Sequence, residues 1–69
     1  MTVSELSEAA RILRRYAIES GADQSVSTEH DVIMAGSAAP DEMPPDESQR
    51  LVDLGWTWEE DYGCWKAFT

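Results

Sequence analysis

The sequence predicts an α+β domain in which an N-terminal helix packs across one face of a small three-stranded antiparallel sheet, with a short second helix beside it. Three observations predict this fold: an amphipathic stretch at the start, a short apolar run in the middle, and two aromatic segments around a polar turn near the end. Because the chain has 69 residues, we expect one small domain spanning 1–69.

Residues 2–20 are predicted to form the first helix. Thr2 and Glu5 have the spacing of a capping box, and Gly21 is a residue type that commonly ends a helix. The apolar positions recur at steps of three and four residues: Leu6, Ala9, Ala10, Leu13, Tyr16 and Ala17. These positions define the face that we expect to pack on the sheet.

The charged face of this helix has two interpretations. Arg11 and Arg15 could form an anion-binding strip, or they could lie on a solvated face supported by pairs within the helix, such as Glu8 with Arg11 and Arg15 with Glu19. We favour the second interpretation, because exposed charge on a helix surface is the ordinary case.

Residues 31–35 are predicted to form a strand, since they are apolar, partly β-branched and followed by Gly36. Their nearly continuous apolar character indicates a strand covered on both faces. Residues 25–28 could form a further short extended segment, but no period supports it. Residues 36–44 combine Gly, Ser, Ala and Pro with two acids and are predicted to be a flexible acidic loop without regular burial.

A second helix is predicted to begin at Pro45, because proline is preferred at the first helical position and Asp46 and Glu47 follow in the first turn. Pro44 occupies the place of a capping residue and should weaken this helix start. The apolar side of the helix consists of Leu51, Val52 and Leu54. Gly55 is expected to end it.

The C-terminal aromatic segments predict a β-hairpin with a three-residue loop, closed by Gly63 in a left-handed conformation. The resulting register places Glu60 opposite Cys64, Trp58 opposite Lys66, and Trp56 opposite Phe68. We therefore expect Trp56, Trp58 and Phe68 in the core. Tyr62, in the turn, and Trp65, on the other sheet face, are candidates for contact with a partner.

Charge is the strongest compositional signal. There are 14 acidic and five basic residues, for a formal net charge of −9. The first 20 residues are balanced, so residues 21–69 carry the whole excess, with eleven acids against Arg50 and Lys66. Such a surface repels phosphate backbones and anionic lipids and attracts basic protein surfaces. We expect a basic protein partner and neither direct nucleic-acid binding nor membrane binding.

No residue pattern indicates catalysis or a cofactor. His30 and Cys64 are the only residues of their types, and nothing in their spacing brings them together, so an enzyme using either is the disfavoured alternative. The paired carboxylates lack the spacing of a calcium loop. A lone thiol and the lack of a leader-like start suggest the cytoplasm, and the apolar runs are too short to cross a bilayer. Self-association stays open.

Part of the sequence resembles small acidic proteins of unknown function encoded by bacteriophages and prophages. The similarity covers residues 28–69 and is carried by His30-Asp31-Val32-Ile33, an acidic proline-containing loop, Leu54-Gly55-Trp56-x-Trp58 and a later tryptophan, Trp65. Those proteins place a serine where this chain has Pro44. In size and charge the chain is also similar to phage inhibitors of host defence, including anti-CRISPR proteins. This class-level resemblance implies an inhibitor that acts in the host cytoplasm.

The leading hypothesis is a non-enzymatic inhibitor whose carboxylates imitate a nucleic-acid backbone and occupy a basic channel of a host defence complex. The candidate partner-binding residues are Asp41, Glu42, Asp46, Glu47, Asp53, Glu59, Glu60, Asp61, Tyr62 and Trp65. The alternative is a small regulatory or adaptor protein that binds a partner through an aromatic face or through the arginine face of the first helix.

Overall fold

The fold is known from a computed structural model whose description covers residues 1–19 and 26–68, with side chains as far as residue 16 in the first helix. Two helices and a four-stranded antiparallel sheet confirm the α+β class. In chain order the elements are α1 (Val3–Glu19), β1 (Val26–Glu29), β2 (Val32–Ala35), a 3-10 helix (Pro40–Glu42), α2 (Pro45–Asp53), β3 (Trp56–Glu59) and β4 (Cys64–Phe68).

The sheet has the strand order β1-β2-β4-β3, so the prediction of three strands is wrong by one. The additional strand is β1, whose Val26 lies opposite Ala35 and whose Glu29 lies opposite Val32. All four residues of β1 are exposed, so no alternation of buried and exposed side chains marks it in the sequence. Backbone pairing with β2 holds this edge strand in place. Ser25, where the suggested extended segment began, lies outside the described residues.

The β3–β4 hairpin is confirmed, but its predicted register is wrong. Trp58 lies opposite Trp65 and Trp56 opposite Ala67, and the loop contains the four residues 60–63. Gly63 has the predicted left-handed conformation, with φ of 64°, and its N–H donates a hydrogen bond to the Glu59 carbonyl at 2.9 Å. A four-residue loop therefore uses the same glycine as the predicted three-residue loop.

This difference of one residue exchanges the two faces of β4, because side chains alternate along a strand. Trp65 is only 1% exposed and lies in the core, so its predicted position on the outer face is wrong. Phe68 is 63% exposed, so its predicted place in the core is also wrong. Trp56, at 2% exposed, is buried as expected, and Trp58 is half-buried against the core.

Both helices pack on the inner face of the sheet, where Trp56, Trp65 and Ala67 lie. The buried core consists of Ala9, Ile12, Leu13, Ala38, Met43, Leu51, Leu54, Trp56, Trp65 and Ala67. Ile12 is missing from the predicted apolar stripe, whereas Leu6 and Ala10 belong to that stripe and are exposed. The buried face of α1 is therefore rotated about the helix axis from the predicted face, toward Ile12. The reason is that α1 packs against α2 as well as against the sheet.

Strand β2 is half-buried at every position, with Ile33 packed against the core. Val32 and Met34 belong to the opposite, outer face, to which neither helix contributes a buried residue. The predicted covering of both faces is therefore only partial, since the outer-face residues are half-buried without a helix packed over them. An antiparallel sheet with one solvated face is a common arrangement.

Residues 36–44 fold over the inner face and were wrongly predicted to lack regular burial. Ala38 is 5% exposed and Met43 is 6% exposed. The Ala38 carbonyl accepts a hydrogen bond from Trp65 Nε1 at 2.8 Å. Gly36 allows the chain to approach α1 closely, because a Cβ added there would lie 2.7 Å from Leu13 Cδ2. The flexibility of this segment stays a prediction.

The helix starts follow the sequence signals. Glu5 Oε1 accepts the Thr2 N–H at 2.7 Å, and Thr2 Oγ1 accepts the Glu5 N–H at 3.1 Å, which is the predicted capping box. Helix α2 begins at Pro45, and Pro44 supplies no side-chain cap. Of the residues predicted on its apolar side, Leu51 and Leu54 are buried, whereas Val52 is 52% exposed. Gly21, the predicted end of α1, lies outside the described residues.

Candidate protein-binding surface

The seam between α1 and α2 is balanced in charge. Arg15 Nη1 lies 2.6 Å from Glu47 Oε1, and Arg50 Nη2 lies 2.9 Å from Glu8 Oε1. Hydrogen bonding to Arg50 lowers the pKa of Glu8, and the same contact raises the pKa of Arg50. Glu8 and Arg15 therefore form ion pairs between the two helices, which the sequence did not predict. These ion pairs join the helices and leave the arginines of the pairs occupied. The Glu19 side chain, a member of one predicted pair within α1, lies outside the described residues.

A third ion pair lies on the outer face of the hairpin. Lys66 Nζ donates to Glu59 Oε2 at 2.7 Å and lies 5.6 Å from the centroid of the Phe68 ring. The hydrogen bond to the Glu59 carboxylate raises the pKa of Lys66. Glu59 is thus a candidate binding residue whose charge is already neutralised within the fold.

Four of the predicted acids are brought to one end of the sheet. Strand β2 ends at Ala35 opposite Trp65, so the chain leaves the sheet there, at the same end as loop 60–63. Pro40, at the start of the 3-10 helix, lines a groove with Trp58 and Trp65. These two tryptophans pair next to Glu59 and Cys64, so the 3-10 helix begins near the loop end of the hairpin. The acids in question are Asp41, Glu42, Glu60 and Asp61, here called the loop-end acids.

The loop-end acids are all exposed, and none forms an ion pair with another described residue. One Glu42 oxygen accepts the Ala39 N–H at 3.0 Å, which fixes that side chain without neutralising it. Tyr62, also in the hairpin loop, is 74% exposed. Unpaired carboxylates at one end of the molecule create a local negative potential that can steer a basic partner.

Three further predicted acids lie on α2. Asp46 and Glu47, in the first turn of α2, line the charge-balanced seam with Arg11 and Arg15. Asp53 is at the other end of α2, where its Oδ1 accepts a hydrogen bond from Gln49 Nε2 at 3.0 Å. The ten predicted residues therefore do not form one continuous surface.

Trp65 was predicted to contact a partner but is buried in the core. Val52, predicted on the apolar side of the second helix, is exposed. Val52 lines the groove between α2 and β3, which sequence reasoning missed. The only signal available was the apolar pattern of a nine-residue helix, and that pattern does not distinguish a buried position from a groove position.

The two residues weighed as a catalytic pair lie apart in the fold. His30 is in the turn between β1 and β2, next to the end of the sheet where Val32 pairs with Phe68. Cys64 begins β4 at the opposite end, where it pairs with Glu59. Burial raises the pKa of the Cys64 thiol, which disfavours the nucleophilic thiolate. In residues 1–19 and 26–68, no three His, Cys, Asp or Glu side chains are grouped to hold a metal ion.

Comparison with protein-family models, with curated proteins and with solved structures finds no match to this chain. The resemblance to phage-encoded proteins and to anti-CRISPR inhibitors therefore stays a prediction based on the residues alone. Neither helix in the described part of the chain is long and apolar enough to cross a bilayer.

Proposed function

We propose that this protein is a non-enzymatic, acidic protein-binding inhibitor that engages a basic surface of a partner through the loop-end acids. The carboxylates take the place of nucleic-acid phosphates, so the partner is a nucleic-acid-binding protein, such as a host defence complex. One observation carries the proposal. Asp41, Glu42, Glu60 and Asp61 are exposed near one end of the sheet and form no ion pair within residues 1–19 and 26–68, while Glu8, Glu47 and Glu59 are paired.

Unpaired and paired acids contribute differently to binding. A carboxylate that already has a cationic partner must lose it before binding another, whereas an exposed, unpaired carboxylate can meet a basic side chain without that loss. Electrostatic steering by such groups accelerates association and weakens as salt screens the charges. The proposal therefore requires binding that depends on salt and on the loop-end acids specifically, rather than on net charge alone.

The test compares two variants with the same change in net charge. Glu60→Gln/Asp61→Asn and Glu29→Lys each change the charge from −9 to −7, but Glu29 ends β1 at the opposite end of the sheet. Each protein is immobilised and exposed to host lysate at low and high salt, and duplex DNA is then added to displace captured proteins. We expect Glu60→Gln/Asp61→Asn to lower the affinity for a DNA-displaceable partner about tenfold at low salt, and Glu29→Lys to change it far less.

Two results would contradict the proposal. Equal weakening by both variants would show that net charge, and not the loop-end acids, governs capture. A partner that resists both salt and DNA, and that is lost with Tyr62→Ala, would instead support the adaptor alternative through the aromatic side chain of the hairpin loop. Circular dichroism of each variant checks that the fold is intact.

A further inference from the structure

A groove runs between α2 and the edge strand β3. It is lined by Pro40, Ser48, Gln49, Val52, Trp58 and Trp65, and its volume is about 130 Å³. It lies at the β3 edge of the sheet, at the far side from β1. Its size suits the insertion of one side chain from a partner better than the binding of a large ligand.

The apolar wall of this groove is fixed by packing. Trp58 is half-buried, and its ring centroid lies 5.7 Å from that of Trp65 at an interplanar angle of 69°. Trp65 is itself held by the hydrogen bond from its Nε1 to the Ala38 carbonyl. Val52, which is 52% exposed, completes the wall on the α2 side. A rigid aromatic surface of this kind loses little conformational entropy when a partner binds.

Two acids adjoin residues that line the groove. Asp53 accepts a hydrogen bond from the groove residue Gln49, and Asp41 directly follows the groove residue Pro40. The nearest basic residue of α2, Arg50, is bound to Glu8 on the other side of the helix. The six lining residues include no charged side chain. Carboxylates next to an aromatic wall favour a cation with an apolar stem, which is the chemistry of arginine and lysine.

We infer that this groove is a docking site for a basic segment of a partner protein, with one arginine or lysine side chain lying along Trp58 and Val52 and its charge directed toward the two adjoining carboxylates. The inference rests on the proposed function, since it names the position at which the basic partner is held. Charge complementarity selects the occupant: a second copy of this chain, with a net charge of −9, is repelled.

The test uses an oligo-arginine peptide as probe and an oligo-citrulline peptide of the same length, which is nearly isosteric but uncharged, as control. Val52→Lys places a cation in the groove at a position that is already exposed. Val3→Lys, at 84% exposed near the start of α1, is the matched substitution outside the groove. We expect Val52→Lys to weaken oligo-arginine binding about tenfold, since it adds repulsion and removes an apolar contact. Val3→Lys should weaken it by less than about twofold.

The outcomes separate this inference from the proposed function. Equal affinities of Val52→Lys and Val3→Lys would overturn the groove as the docking site. If Glu60→Gln/Asp61→Asn still weakened binding in that experiment, the loop-end acids would remain the binding surface. Equal binding of the citrulline and arginine peptides would also overturn the inference, because the site would then not distinguish a charged side chain from an uncharged one. Quenching of tryptophan fluorescence by oligo-arginine in the wild-type protein, and its loss in Val52→Lys, is the supporting spectroscopic result.

Discussion

Both faces of the β3–β4 hairpin carry aromatic residues, but the aromatic residues of the two faces have different roles. The inner face places Trp56, Trp58 and Trp65 against the helices, and Trp65 also donates a hydrogen bond that holds residues 36–44. The outer face carries an aromatic ring as well, Phe68, but this ring is exposed and lies near the Lys66 ammonium. The aromatic content of the hairpin is thus divided between folding and surface, and only the strand register determines which ring has which role.

The largest expected effect on stability comes from removing the Trp65 ring on the inner face. Trp65→Ala removes a nearly fully buried indole and leaves the Ala38 carbonyl without its donor, so we expect a loss of about 3–5 kcal/mol in the free energy of unfolding. The total stability of a 69-residue domain is about 3–10 kcal/mol. The variant should therefore be largely unfolded or close to its midpoint at room temperature, as measured by urea denaturation followed by circular dichroism.

Phe68→Ala is the matched truncation on the outer face. Because Phe68 is 63% exposed, we expect a loss within about 1 kcal/mol. Trp65→Phe, which keeps a ring but removes the indole N–H, should fall between the two and keeps the comparison measurable if Trp65→Ala does not fold. Equal losses for Trp65→Ala and Phe68→Ala would show that the two faces are not distinguished as the register requires.

The second largest expected effect on stability comes from replacing Gly63, in the loop that determines the register of the hairpin. Gly63 has φ of 64°, and a Cβ added there meets no atom within 4 Å, so Gly63→Ala carries only the conformational cost of a left-handed residue. We expect a loss of about 1–2 kcal/mol for alanine and a smaller loss for asparagine, which tolerates this conformation better. Urea denaturation of the two variants measures the difference.

The same variants also show whether the loop can slip. A change to a three-residue loop would move Trp65 to the solvated face, and its fluorescence emission would shift to longer wavelength. An unchanged emission spectrum with reduced stability is the expected result. A red shift in the folded Gly63→Ala protein would contradict the register as the stable arrangement.

Sequence reasoning succeeded where the signals are local. The Thr2–Glu5 capping box, the start of α2 at Pro45 and the glycine that closes the hairpin loop are each determined by residues within one turn of the chain. The register failed because three- and four-residue loops both end in a left-handed glycine, and the alternating aromatic residues fit either face. Strand β1 overlaps the extended segment suggested at residues 25–28, but it was left out of the predicted sheet because its side chains are all exposed and show no alternation.

The candidate surface was predictable only in part, for a related reason. The sequence shows which residues are acidic. Whether an acid is available to a partner depends on whether it forms an ion pair within the protein, and such ion pairs are determined by the tertiary structure. Arg15 and Glu47 are 32 residues apart in the chain, and Arg50 and Glu8 are 42 apart. No local pattern indicates such partners. Exposed acids in loops, such as Glu60 and Asp61, were correctly placed at the surface because a polar turn has no core to face.

The smallest expected effect lies on the outer face, at the Glu59–Lys66 pair. The bond to the Glu59 carboxylate raises the pKa of Lys66 in the folded protein, so the stabilisation is fully present below the unfolded pKa of lysine, about 10.4. It is lost as pH rises through the folded pKa, because the unfolded chain releases the proton first. We expect the denaturation midpoint of the wild-type protein to fall more steeply above pH 10 or so than that of Lys66→Met.

Lys66→Met retains an apolar stem, which limits the loss of packing against Phe68. All other residues are the same in both proteins, so the difference between the two curves isolates the ammonium. The difference should be smaller than the effect of Gly63→Ala, since the pair is partly solvated on the open face. Parallel curves for the two proteins from neutral to alkaline pH would show that the pair contributes nothing to stability. A contribution larger than that of Gly63 would mean that the outer face is more strongly organised than its exposure indicates, and the contrast between the two faces would have to be revised.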